Sequence, residues 1–254
     1  MMPNPRLPLE ILDYIVDLTH DKPETLKACC LVAKAWVPLS RKHLFANIRF
    51  GHEGDLELWK QAFPDPSNSP MHHTHTLAIS STPVARSAGD WIQAFSRVTT
   101  LDLCGNVNRC PRDSDVPLAP FYKFAPTLKS LHVYSISLPY PELFTLVRSS
   151  PLLEDLTLSG HDAWFGGNDD LYEPQPVVPS ASPAFTGTLD LAVHGGMEYT
   201  ARQLLGLPNG LHFRRLRFLG VEEEEVRWIM ELLTACSDTL ECFAVGSPEC
   251  CTFV

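Results

Sequence analysis

Apolar and polar positions alternate in two different rhythms along this chain. Over residues 6–50, RLPLEILDYIVDLTHDKPETLKACCLVAKAWVPLSRKHLFANIRF, the rhythm is helical. Ile11, Ile15 and Leu18 fall on one side of a first helix, and Leu12 and Val16 fall on a second side. Pro8 opens this helix where a missing N–H costs nothing. Asp21 is placed as the N-cap of a second helix, with Pro23 just inside it, running through Leu26, Cys29, Cys30 and Val32. A third helix carries Trp36, Leu39, Leu44 and Phe45, and Pro38 within it predicts a kink or a split after Trp36. A segment this short cannot enclose so much apolar surface by itself. Part of it is expected to pack on the rest of the chain and part on another protein.

Past residue 45 the rhythm changes to apolar-x-x-apolar-x-apolar. It recurs as Phe45-x-x-Ile48-x-Phe50, Val98-x-x-Leu101-x-Leu103, Leu128-x-x-Leu131-x-Val133, Leu153-x-x-Leu156-x-Leu158, Phe213-x-x-Leu216-x-Phe218 and Leu240-x-x-Phe243-x-Val245. Two weaker copies keep only the end, Leu77-x-Ile79 and Leu189-x-Leu191. The central residues 48, 77, 101, 131, 156, 189, 216 and 243 lie 29, 24, 30, 25, 33, 27 and 27 apart. Such a period is that of a leucine-rich-repeat solenoid. Asn106 stands where these repeats turn after the strand, whereas Ile136, His161, His194 and Val221 occupy that place in other copies, so the repeats are irregular.

Helical patterns lie between the strands at Leu56 to Phe63, Trp91 to Phe95, Tyr140 to Val147, Tyr199 to Leu205 and Glu222 to Cys236. In the last, glutamates at the start complement the helix dipole, and Val226, Ile229, Leu232 and Leu233 are predicted to form a buried stripe. Each strand-plus-helix unit buries its apolar side only against its neighbours. The expected fold is α/β: a three-helix start over residues 6–46, then a solenoid over 47–254 with a parallel sheet on the concave side and helices on the convex side. The spacing from 156 to 189 is stretched by a proline-rich loop over 161–185, in which Trp164, Phe165 and Tyr172 are apolar anchors. The chain stops at Val254 directly after a strand, where a solenoid ordinarily carries a polar cap, which reads as a short family member or a truncated gene product.

Charge and cysteine usage narrow the setting. The formal net charge is −10. Residues 1–50 hold seven Lys/Arg against five Asp/Glu, while 51–254 hold thirteen against twenty-five. A net of −12 on the second part argues against nucleic acid, which is bound through cationic contacts to phosphate. The eight cysteines are scattered, without a C-x-x-C, and there is no signal-like segment, no membrane-length apolar run and no Asn-x-Ser/Thr acceptor. These point to a reducing compartment, cytosolic or nuclear. No P-loop, G-x-G-x-x-G, G-x-S-x-G or H-E-x-x-H occurs, and His72-His73-Thr74-His75 lacks the second paired group that a zinc site wants. The expectation is a protein without enzymatic activity, cofactor or metal.

In a strand that reads apolar-x-apolar, the pair points into the solenoid and the middle residue points out. That aligns Asp102, His132, Thr157, Asp190 and Arg217 across neighbouring repeats, with a second row of Thr100, Ser130, Asp155, Thr188 and Arg215 one step earlier. These rows, and above all Asp102, His132, Thr157, Asp190, Arg215 and Arg217, are the candidate contact surface for a protein substrate.

The first segment also carries a resemblance. The order Leu7-Pro8-x-Glu10-Ile11, then Ile15, then Leu26-x-x-Cys29-x-Leu31-Val32, then Trp36, then Ser40-Arg41-x-x-Leu44-Phe45 resembles an F-box of the form common in fungi. The resemblance covers about the first fifth of the chain. It implies docking on the Skp-type adaptor of a cullin–RING ubiquitin ligase, with the rest of the chain holding a substrate. Carried over position by position, Leu7, Pro8, Ile11, Ile15, Leu26, Leu31, Val32 and Trp36 are the adaptor contacts or their immediate support. The alternative is a repeat protein that binds a partner outside any ubiquitin ligase.

Overall fold

The computed structural model describes residues 8–80, 91–92, 94–105, 118–134, 140–160, 183, 185–193 and 196–246. Three helices come first: α1 (Leu9–Asp17), α2 (Pro23–Val32) and α3 (Trp36–Leu44). Strands then alternate with helical segments: β1 (Asn47–Phe50), α4 (Glu53–Ala62), β2 (Thr76–Ile79), β3 (Thr100–Cys104), β4 (Ser130–Tyr134), α5 (Tyr140–Arg148), β5 (Asp155–Gly160), β6 (Thr188–Val193), α6 (Met197–Leu205), β7 (Arg215–Leu219), α7 (Val226–Ala235) and β8 (Cys242–Gly246). Short 3-10 turns at Pro70–His73 and Ala119–Phe124 precede β2 and β4.

The eight strands form one sheet whose order follows the sequence, β1 through β8, and every neighbouring pair is parallel. Each strand therefore pairs only with the one before and the one after, the arrangement of a solenoid-like α/β fold, while in the helical layer α5 reaches past the β5 unit to α6 through the Phe144–Tyr199 ring contact and the Arg148–Gln203 hydrogen bond. The register joins Ile48, Leu77, Leu101, Leu131, Leu156, Leu189, Leu216 and Phe243 into one ladder. These are the central residues of the sequence repeat. From Ile48 to Leu216 the ladder is buried, packed under Phe121, Phe124, Phe144, Leu204, Ile229 and Leu232 from the helical layer. Among the described residues the opposite face is half-buried from β2 to β6 and exposed on β1 and at Arg215, Arg217, Cys242 and Ala244 on β7 and β8.

Backbone chemistry ties the units together in a way the apolar pattern does not reveal. The amides of Thr99 and Thr100 converge on the His75 carbonyl, those of Lys129 and Ser130 on Thr99, and those of Glu241 and Cys242 on Arg214. Threonine hydroxyls reinforce the same step: Thr74 donates to the Phe45 carbonyl at 2.9 Å, Thr127 to Val98 at 2.8 Å and Thr239 to Phe213 at 3.2 Å. Each acceptor is the first apolar residue of a repeat copy. Between β5 and β6, Asp155 Oδ1 accepts the Thr188 N–H at 2.7 Å. Gly187 makes that approach possible, because a Cβ there would run into the Asp155 carboxylate.

The helical start runs into the sheet without a break. The Phe45 ring meets Trp59 edge-on at 5.7 Å and Phe63 at 6.1 Å, and the His75 and Thr76 amides both donate to the Ala46 carbonyl. His43 Nε2 and Asp17 Oδ1, 2.6 Å apart, link α3 to α1.

Three local expectations need correction. Pro38 neither kinks nor splits α3, because it sits in the first turn, where no intrahelical partner for its N–H is required. The N-cap of α2 is Lys22, not Asp21, and no side chain caps it. The stripe of α7 is narrower than expected. Ile229 and Leu232 are buried and Leu233 is half-buried, but Val226 is exposed. Leu7, Asn106, Trp164, Phe165 and Tyr172 lie outside the described residues. Among the described residues no helix is long and apolar enough to cross a membrane.

Candidate functional site

Two surfaces stand out once the fold is assembled. The first lies on the initial three helices. Their shared interior is small: Val16, Leu26 and Cys29 are the buried apolar residues among those described in α1 to α3. Helical spacing then leaves a second set facing outward. Ile11 is 45% exposed, Val32 69% and Leu31 89%, and Tyr14 and Leu18 are exposed with them. Pro8, at the N-cap of α1, is exposed, while Ile15 and Trp36 are half-buried. The eight named positions therefore divide. Pro8, Ile11, Leu31 and Val32 are at the surface, Ile15 and Trp36 are at its margin, Leu26 is interior, and Leu7 lies outside the described residues. Tyr14 was not singled out in the sequence, although its spacing of three from Ile11 and four to Leu18 places it on their face.

The second surface is the open face of the sheet. The register places Ala78, Asp102, His132, Thr157, Asp190, Arg217 and Ala244 in one row across seven strands. Thr76, Thr100, Ser130 and Asp155 form the row before it, which resumes as Thr188, Arg215 and Cys242. A third row, Cys104, Tyr134, Ser159 and Ala192, follows toward the strand ends.

Charges on this face are arranged in pairs. His132 Nδ1 is 2.7 Å from Asp102 Oδ1, and Arg217 lies 3.6 Å from Asp190 Oδ2. Asp190 is nevertheless pushed above the usual carboxylate range, because burial outweighs the favourable Arg217 and His132 charges. Burial, with Asp102, Cys104 and Asp190 nearby, also raises the Tyr134 phenol. The Cys104 thiol is raised by burial and by Asp102, against the lowering effect of Arg49 and of a hydrogen bond with Ser80. A thiol held in its neutral form is a poor nucleophile. Arg215 is fully outward at the β7 end and is the row's cation without an ion-pair partner among the described residues.

The histidine run is resolved locally. The His72 and His73 rings lie against each other at a tilt, centroids 3.9 Å apart, on the 3-10 turn before β2. Burial, followed by the charges of His72, Arg97 and Arg41, holds the His73 imidazole below its ordinary range. Among the described residues no group of three or more His, Cys, Asp or Glu is placed to hold a metal ion. Comparison with family models, with curated proteins and with solved structures returns no match.

Proposed function

We propose that this chain is a substrate-recognition subunit of a Skp–cullin–F-box ubiquitin ligase. In this reading the first three helices are an F-box that docks the Skp-type adaptor, and the irregular leucine-rich repeats hold a protein substrate on the open face. The observation that carries the reading is the outward set Ile11, Leu31 and Val32, at positions that match the F-box pattern. Leu31 and Val32 left this exposed at the end of α2, with Ile11 exposed on α1, form a docking face once a partner removes them from water. The chain itself then breaks no bond. Its contribution is proximity, since tethering ligase and substrate makes ubiquitin transfer effectively intramolecular.

The two surfaces lie toward opposite ends of the sheet. β7 is six strand spacings from β1, roughly 29 Å at about 4.8 Å each, which is several Debye lengths at physiological salt. Substitutions at Arg215 and Arg217 therefore act on the substrate without reaching the adaptor through electrostatics.

Affinity capture from cells with the proteasome inhibited tests the reading. Adaptor and cullin are expected to co-purify with the chain, together with ubiquitinated substrates. Reversing charge with Arg215→Glu and Arg217→Glu should reduce the substrate set and leave adaptor and cullin unchanged. Capture that brings down neither adaptor nor cullin would overturn the assignment, and loss of adaptor in the arginine variant would overturn the division of labour.

A further inference from the structure

The histidine run before β2 lies on a seam between three parts of the fold. The Thr74 hydroxyl donates to the Phe45 carbonyl at 2.9 Å, and the His75 and Thr76 amides converge on the Ala46 carbonyl. These bonds fasten the 3-10 turn to the end of α3. One strand further on, the Thr99 and Thr100 amides converge on the His75 carbonyl, which fastens the start of β3 to the same place. Each neighbour brings an exposed arginine. Arg41 stands in the last turn of α3, and Arg97 lies two residues before Thr99. His72 and His75 are exposed beside them, and His73 is half-buried.

The charge at this seam has one sign. Burial is the first cause of the lowered His73 imidazole, and the charges that follow are those of His72, Arg97, Arg41 and His75, all basic. Neither Arg41 nor Arg97 forms an ion pair among the described residues. Other cations on the surface are treated differently. Lys129, Arg202, Arg214, Arg217 and Arg227 each lie against a carboxylate. A chain with thirty acidic side chains and a net charge of −10 thus keeps a positive spot where its helical start joins its sheet.

We propose that Arg41 and Arg97, flanked by His72 and His75, form a binding site for a single phosphate group, free or carried on a protein segment. The site uses none of the residues assigned above to adaptor or substrate, and it stands whether or not the chain serves a ubiquitin ligase.

Charge and geometry favour phosphate as the occupant. Two guanidinium groups repel a metal ion and attract an oxyanion. Each guanidinium fork binds an oxyanion through two parallel hydrogen bonds; one fork uses up a carboxylate, whereas a phosphate has oxygens enough for both and carries nearly two negative charges. The His72 ring is held in place by its Nδ1–H, which donates to the Ser69 carbonyl at 3.1 Å and leaves Nε2 for a ligand. The extent of the patch argues against a polyanion. It is confined to the end of α3, one 3-10 turn and the lead into β3, while residues 51–254 carry a net charge of −12. A nucleic acid or an anionic membrane needs a broad cationic surface and would meet that negative charge, which a single phosphate group escapes.

Phosphorus NMR of inorganic phosphate, and separately of a glycine-phosphoserine-glycine peptide, titrated with the full chain in chloride buffer tests this. The phosphorus line should shift and broaden to saturation with at least one of the two probes. Tighter binding of the peptide supports a protein-borne phosphate, and tighter binding of inorganic phosphate supports a free ion. Arg41→Gln with Arg97→Gln should raise the dissociation constant at least about tenfold, while the thermal midpoint stays that of the parent because both side chains are exposed. Lys129→Gln with Arg227→Gln removes the same charge elsewhere and should leave binding within about twofold. A line unmoved by the parent chain with either probe, binding that survives loss of both arginines, equal weakening by the Lys129 and Arg227 pair, or displacement by acetate at the concentration of the phosphate would each overturn the proposal.

Discussion

Replacing Ile11 and Leu31 together by aspartate is expected to abolish adaptor binding while leaving the fold intact. Both side chains are at the surface and neither belongs to the buried set of the helical start, so the folded chain loses little packing. The bound state loses far more. Truncating an interface anchor typically costs about 2 kcal/mol or more, and placing a carboxylate in a desolvated apolar contact adds the cost of an unpaired charge. Two such sites lower affinity by well over about a hundredfold. Pull-down of the purified adaptor, read beside a circular-dichroism melt, checks both halves. Retained binding in a folded variant would remove the F-box reading.

The second large effect concerns the sheet. Leu156→Ala, in the middle of the buried ladder, is expected to cost about 2–5 kcal/mol of stability, because it removes a fully buried side chain from between Leu131 and Leu189 and leaves a cavity. Thr157→Ala, one residue on, points to the open face and should stay within about 0.5 kcal/mol of the parent. In a sheet whose strands pair only with their neighbours, the leucine loss should also loosen the adjacent strands. Urea unfolding of the two variants measures the contrast, and hydrogen exchange across β4 to β6 shows its spread. Equal destabilisation by both substitutions would contradict the assignment of inward and outward positions.

Much of this fold was legible in the sequence because an apolar ladder leaves a recurring mark even at uneven spacing. Leu101, Leu131 and Leu156 recur 30 and 25 residues apart, and a period of two within each strand assigns Asp102, His132 and Thr157 to the other face. The neighbours His132 and Thr157 follow from arithmetic alone. What the spacing could not supply is chemistry that acts across units. The hydroxyls of Thr74, Thr127 and Thr239 each reach a carbonyl one repeat earlier, from positions that are not at a constant offset from the ladder. Nor does a hydrophobic pattern say which apolar face is covered. Val226 reads as core by its spacing to Ile229, yet it lies on the side of α7 turned away from α6, where no helix packs among the described residues. Pro38 shows a related limit, since its consequence depends on whether the helix starts two residues before it or a full turn before it.

The helical start is similar. Leu26 and Leu31 both match the F-box pattern, but one is interior and the other is almost fully exposed, a distinction set by where α2 ends and α3 packs. Periodicity gave two apolar sides to α1, and only the packed arrangement separates Val16, turned inward, from Ile11, turned outward.

Docking of the Skp-type adaptor is the central claim, and isothermal titration of the full chain with the purified adaptor tests it most directly. The expected result is one-to-one binding with a dissociation constant below about 1 µM, a favourable free energy of more than about 8 kcal/mol, and a negative heat-capacity change from burial of Ile11, Leu31 and Val32. A chain that is folded by circular dichroism yet gives no binding isotherm at any temperature used for the heat-capacity series would contradict it.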